Sequence, residues 1–389
     1  MPRSFWFATR SFPRALSALA LICIVFHATA RASSIDSAIN TDPPPGASPA
    51  AMYQLEIPSH GAILFGVFYR AAGAQPHPTV LLLHGLPGFE QNTDLAQTIR
   101  RAGWNVLIFH YRGAWGSGGA FSFGNCIEDV QAAIDYLRAQ DNSTRLSIDS
   151  KRLVLIGHSM GGFLAGIGTT RDPAILGAAL VSPWNPGVLA MRASPQLDQA
   201  MLEEFRSDVG PLKGATAEGL LAEAKKNAVA WNLIDQAPQL KPRPVLIVVS
   251  NDFLHDDDVA IAASLRKAAH PRMSEIQMPT DHAYSDHRIA LQRALLNWLQ
   301  QFEKPFLSSA WTSRSLLPSG RIPGSPSSRG RDANPCVTGR WTAGVQADLQ
   351  PDQISGGLWR IGARGRAAAH SCSGRAASDQ PEHRGARLS

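Results

Sequence analysis

An α/β architecture, with a mostly parallel sheet covered by helices on both faces, is what this 389-residue sequence predicts. Three observations carry that expectation. Short apolar runs without polar alternation recur at 79–83, 106–109, 153–156, 176–181 and 245–249, as strands buried on both faces require. Segments with helical apolar spacing separate them, the arrangement that builds parallel sheets. A composition of 44% apolar and 17% charged residues suits a chain with a sizeable core.

The elements follow in order. Arg3, Arg10 and Arg14 precede an apolar run at 16–26, and then come Ala28-Thr29-Ala30 and Ala30-Arg31-Ala32. A basic segment, a short apolar stretch and small residues make 1–32 a secretory signal peptide. The run is short for a spanning helix, so the expected product is exported, secreted or periplasmic, with no stable membrane association after cleavage. Residues 33–52, with the stiff Thr41-Asp42-Pro43-Pro44-Pro45-Gly46, read as a linker. Strands are expected at 53–57 and 63–69 around a turn at 58–61. A helix at 95–101 ends at Gly103. Ile127, Val130, Ala133, Ile134 and Leu137 mark one face of a helix at 127–138. A helix of small residues is expected at 160–169, and helices at 259–268 and 287–302 flank a weaker strand at 275–278.

Residues 183–243 interrupt this rhythm between two strands. An insertion of that length, just past a strand's C-terminal end, reads as a helical lid, with helices at 195–206 and 216–230. The folded domain is thus expected at 53–304. The tail, 305–389, has eleven Arg, no Lys and no sustained periodicity, and reads as disordered. Its Arg-for-Lys bias resembles an out-of-frame reading of GC-rich coding sequence.

The formal charge of +6 does not point to nucleic acid. Residues 1–32 hold +4 and residues 305–389 hold +6, leaving −4 between them, so the core has no basic surface for a phosphate backbone. Of the four cysteines, Cys126 alone lies between the terminal segments that carry Cys23, Cys336 and Cys372, so no disulfide framework is expected in the core. The histidines show no metal-ligand spacing and no glycine-rich nucleotide loop is present, so neither metal nor organic cofactor is expected.

The chemistry begins at Gly157-His158-Ser159-Met160-Gly161-Gly162, where a buried strand turns directly into a small-residue helix. A serine there needs a sharp turn to raise its hydroxyl above the sheet, and glycines two positions either side leave room for it. The helix start aims N–H groups and positive dipole at a developing oxyanion. His84-Gly85-Leu86-Pro87-Gly88 follows the first buried strand.

On these motifs, residues 53–304 resemble the α/β-hydrolase family. The resemblance implies a Ser-His-Asp triad with Ser159 as nucleophile and with the acid and histidine each just past a later strand. His282, in the loop before the last helix, is the expected general base, with His287 the alternative. Asp252 is the expected acid, with Asp256 and Asp257 left open. The run 256–258 also reads as acids in a helix's first turn. The His-Gly-x-x-Gly loop implies an oxyanion hole formed by the N–H groups of Leu86 and Met160, with His84 structural. Tyr111-Arg112-Gly113-Ala114-Trp115-Gly116-Ser117 resembles a loop of peptidase-like and esterase-like members, bracing the active-site floor. Trp184, Met191, Phe205 and Trp231 of the insertion stand either to line a substrate pocket or to form the insertion's own core. The expected function is hydrolysis of a small-molecule carboxylic ester. An exported peptidase and a non-catalytic binding protein on the same scaffold are the alternatives.

Overall fold

The computed structural model describes residues 34–303 apart from residue 193, all within one structural unit, Met1–Ser309. The expected signal peptide and basic tail lie outside the described residues.

The chain enters through helix α1 (34–40), which corrects the expected linker at 33–52. Ile35, Ala38 and Ile39 lie one helical turn apart and are buried, and Arg101 donates to the Ala38 carbonyl at 2.5 Å, so this stretch packs on the domain. Strands β1 (Ala51–Ser59) and β2 (Ala62–Arg70) form a hairpin closed by His60 and Gly61, both at positive φ (46° and 80°), as a two-residue hairpin turn requires. Then follow β3 (His77–Leu83), α2 (Thr93–Arg101), β4 (Asn105–Phe109), α3 (Phe123–Arg138), α4 (Gln140–Arg145), β5 (Ile148–His158), α5 (Met160–Arg171) and β6 (Ala178–Val181). The inserted segment holds α6 (Pro186–Met191), α7 (Pro195–Asp208), α8 (Ala217–Lys226), α9 (Leu233–Gln236) and a 3-10 turn at Ala237–Leu240. The chain closes with β7 (Val245–Ser250), α10 (His255–Lys267), β8 (Met273–Met278) and α11 (Arg288–Leu299).

The eight strands lie in the order β1-β2-β4-β3-β5-β6-β7-β8. β2 is antiparallel to both neighbours, and every pairing from β4 to β8 is parallel. Alternation within the buried strands sorts their side chains to two cores. Leu81, Leu83, Leu155, Leu180 and Ile247 join α3, α5 and the insertion on one face. Val80, Leu82, Ile156, Val181 and Val248 join α1, α2 and α11 on the other. Among the described residues no helix is long and apolar enough to cross a membrane.

The chain leaves β3 for β4 on one side and comes back to β5 on the other. Strand order therefore reverses between β3 and β5, where Leu83 pairs with Gly157. Ligands of open α/β sheets bind beyond the strands' carboxyl ends at such a switch point. The glycine motifs of both strands lie at that edge.

Candidate active site

β5 passes into α5 through Ser159, whose backbone sits at φ 58°, ψ −124°. This is a costly conformation for a residue with a side chain, held because its surroundings over-determine it. A Cβ on Gly157 would collide with the carbonyl of Gly161, and one on Gly161 with the carbonyl of Leu83. The main chain of the bend is fully used: Ser159 N–H donates to Val181 at 3.0 Å, and its carbonyl accepts from Gly162 and Trp184 at 2.9 and 3.0 Å.

Asp252 lies in the loop after β7. Its Oδ1 accepts the Leu254 N–H at 2.7 Å, and its Oδ2 accepts from Ser250 Oγ and His282 Nδ1, both at 2.6 Å. Burial of this carboxyl opposes ionisation, but the hydrogen bonds from His282 and Ser250 outweigh it and hold the group below its ordinary value. A carboxylate can only accept, so His282 donates from Nδ1, which leaves Nε2 as the ring nitrogen turned away from Asp252. Of the other candidates, Asp256 is exposed in the first turn of α10 and Asp257 pairs with Arg192 at 2.7 Å. His287 stands at the N-cap of α11, paired with Asp286 at 2.8 Å.

Among the described residues no hydrogen bond joins Ser159 Oγ to His282; the His282 loop is docked instead on His158, the residue before Ser159. His158 Nε2 donates to the His282 carbonyl at 2.7 Å, and the two rings lie 4.6 Å apart. Burial lowers the His158 pKa to about 3, so its ring is neutral and serves as a fixed donor.

Across the switch point, a Cβ on Gly85 would lie 3.0 Å from Ser159 Cβ and 3.4 Å from its Oγ, so that glycine allows the loop to approach the serine. His84, lowered to about 4 by burial, donates from Nδ1 to the Gly85 carbonyl at 2.8 Å. That carbonyl belongs to the same peptide plane as the Leu86 N–H, so His84 sets the direction of that amide. Trp115 Nε1 donates to the Pro87 carbonyl at 2.6 Å and holds the loop from outside. Met160 opens α5, so its own N–H has no partner inside the helix. The site thus brings together a strained serine, a histidine–carboxylate pair and two amides near the serine.

A sequence profile of the α/β hydrolase family matches residues 80–294, which is more than half of the chain and includes all of these groups. The chain belongs to the α/β hydrolase family. It is 33% identical over 184 residues to the α/β hydrolase domain-containing protein WAV2 of Arabidopsis thaliana, covering 47% of this chain and 55% of that one. It is also 33% identical over 114 residues to YfhR of Salmonella typhimurium, covering 28% and 37% respectively. The chain therefore spans between about a third and just over half of these relatives. Among solved structures, the α/β hydrolase GrgF from Penicillium sp. sh18 shares the fold at 18% identity, with a TM-score of 0.50 over 65% of this chain and 99% of that one.

Within this hydrolase, Arg112 is buried, donating to Asp129 at 2.7 Å and to Glu128 at 2.5 Å. It ties the loop after β4 to α3. Trp184, Phe205 and Trp231 are buried around Phe123, with ring centroids 5.0–6.2 Å apart, and so form the insertion's core; Met191 is exposed. Among the described residues no three potential metal-ligating side chains converge. Sequence reasoning missed His158, Ser182, Ser250 and Tyr284. His158 stands inside the serine motif, but the motif itself asks nothing of that position. Ser250 ends β7 and Ser182 directly follows the adjacent β6, the one local signal that pointed to them.

Proposed function

We propose that this hydrolase cleaves small carboxylic esters through an acyl-enzyme on Ser159. The supporting observation is the 2.6 Å pair of His282 Nδ1 with Asp252, on a loop docked through His158 to the residue preceding Ser159. In this reading Ser159 Oγ attacks the ester carbonyl while His282 Nε2 takes its proton. The N–H groups of Leu86 and Met160 receive the oxyanion. The imidazolium, steadied by Asp252, protonates the leaving alcohol, and water then repeats the sequence to free the acid. Residues 183–243 act as the lid that shapes the pocket.

Turnover of short p-nitrophenyl esters beside aminoacyl-p-nitroanilides tests the reading. Ester cleavage lost in Ser159→Ala is expected. Cleavage of the anilides alone would assign a peptidase instead, and no turnover of either would remove the proposal. The basic and apolar segment at 1–32 supports export, expected as activity in the periplasmic or culture fraction.

A further inference from the structure

Behind Asp252 lies a line of hydroxyls for which the hydrolytic reading has no use. Ser250 Oγ donates to Asp252 Oδ2 at 2.6 Å. Ser182 Oγ lies 2.6 Å from Ser250 Oγ, and Tyr284 OH lies 2.8 Å from Ser182 Oγ. Tyr284 is fully buried, as are Ser182 and Ser250. Two members sit at positive φ, Ser182 at 39° and Tyr284 at 58°, where a bulky residue is a true outlier. The fold holds costly backbone at both.

Proton counting gives the line a direction. Each hydroxyl has one proton. A carboxylate can only accept, so the Ser250 proton is committed to Asp252. Ser250 must then accept from Ser182, and Ser182 in turn from Tyr284. Besides Ser182 at 2.8 Å, the Tyr284 hydroxyl has the Val248 carbonyl at the longer distance of 3.2 Å and a hydrogen-bonding interaction with Ser250, so either side-chain route leads to Ser250. Three successive protons therefore point towards the carboxylate that orients His282.

We propose that Tyr284, Ser182 and Ser250 form a one-way hydroxyl relay that positions the Asp252 carboxylate for the reaction. Tyr284 touches no reacting atom and is a positioning residue. The relay keeps the Oδ2 lone pairs shared between two donors, so the carboxylate neither rotates nor takes the proton from His282 Nδ1. It rests on the reading of Ser159, His282 and Asp252 as the reacting set.

Steady-state kinetics of Tyr284→Phe, Ser250→Ala and their double variant test the relay. Tyr284→Phe is expected to lower kcat about threefold and Ser250→Ala about tenfold, each with KM nearly unchanged. The double variant should match Ser250→Ala alone, because the far hydroxyl acts only through the near one. An unchanged kcat in Tyr284→Phe, or losses that simply multiply, would overturn the proposal. Should Ser250→Ala fail to fold, Ser182→Ala takes its place in the cycle.

If the wild-type protein turns over no ester, the function reading fails on its own and the relay is read by NMR. The low-field resonance of the His282 Nδ1 proton should then move downfield in Tyr284→Phe, as Ser250, no longer polarised by the hydroxyls behind it, donates less strongly to Asp252. That displacement should vanish when Ser250 is already alanine. An unmoved resonance in Tyr284→Phe rejects the relay.

Discussion

The ring of His158 and the main-chain carbonyl of His282 meet at 2.7 Å, so the residue before the bend serine carries the loop that bears the proposed base. This donor works only while neutral, and burial keeps it so, with a pKa of about 3 against 6.5 in the open chain. His84, at the start of the glycine loop after β3, is held at about 4 for the same reason. A histidine with a lowered folded pKa costs stability as pH falls: the unfolded chain binds its proton near 6.5, while the folded one does not until near 3 or 4. Each ring is expected to remove about 2 kcal/mol of stability between pH 7 and pH 5. Denaturant unfolding of wild type and His158→Gln checks this, the variant showing the shallower acid slope. Parallel slopes would mean that His158 is already charged in the fold.

Ser159 holds φ 58° with a side chain, strain that serves the site rather than the fold. Ser159→Gly is expected to raise the unfolding free energy by about 1 kcal/mol relative to Ser159→Ala, both variants being inactive. Equal stability of the two would show a bend without strain.

Trp115 reaches the loop 84–88 through a hydrogen bond to Pro87 and stacks edge-on against Phe89 at 5.1 Å. Trp115→Phe keeps the aromatic contact and loses the donor. We expect kcat/KM for esters to fall about tenfold with a fall in stability below about 1 kcal/mol. Wild-type kinetics in this variant would free the loop from Trp115.

Asp258 is buried beside this site, and among the described residues neither of its oxygens has a hydrogen-bond partner. Burial, with Asp252 and Asp257 nearby, pushes its pKa up to about 9. An acid raised in this way costs almost nothing below about pH 3, where both states are protonated. The cost grows as pH rises towards 9, because only the unfolded chain ionises. Asp258→Asn should therefore match wild type near pH 3 and exceed it by on the order of 2 kcal/mol at pH 7. A variant less stable at pH 7 would place a charged Asp258 in the fold.

Much of this was legible in the residues. Strands buried on both faces announce themselves as unbroken apolar runs, and the glycines around Ser159 mark a bend that permits no other residue. Where the signal failed, it was physically absent or masked. Helix α4, Gln-Asp-Asn-Ser-Thr-Arg, has no apolar face and is steadied by polar contacts such as Asn142 to the Tyr136 carbonyl at 3.0 Å. The spacing of Ile35, Ala38 and Ile39 was present, but the prolines that follow drew the whole stretch into a linker. The hydroxyls of Ser182, Ser250 and Tyr284 meet across 102 residues of chain, and no local pattern records such a meeting. Position along the chain offered Asp252 and His282 as acid and base, and their pairing came only from the fold.

The central claim is that Ser159 is the activated nucleophile, and labelling with a fluorophosphonate, followed by mass spectrometry of the digest, tests it most directly. The account predicts one adduct, on Ser159, absent in Ser159→Ala and formed about 10³-fold more slowly in Asp252→Asn, where His282 loses the partner that fixes its tautomer. An unlabelled wild-type protein, or an adduct on any other residue, would contradict it.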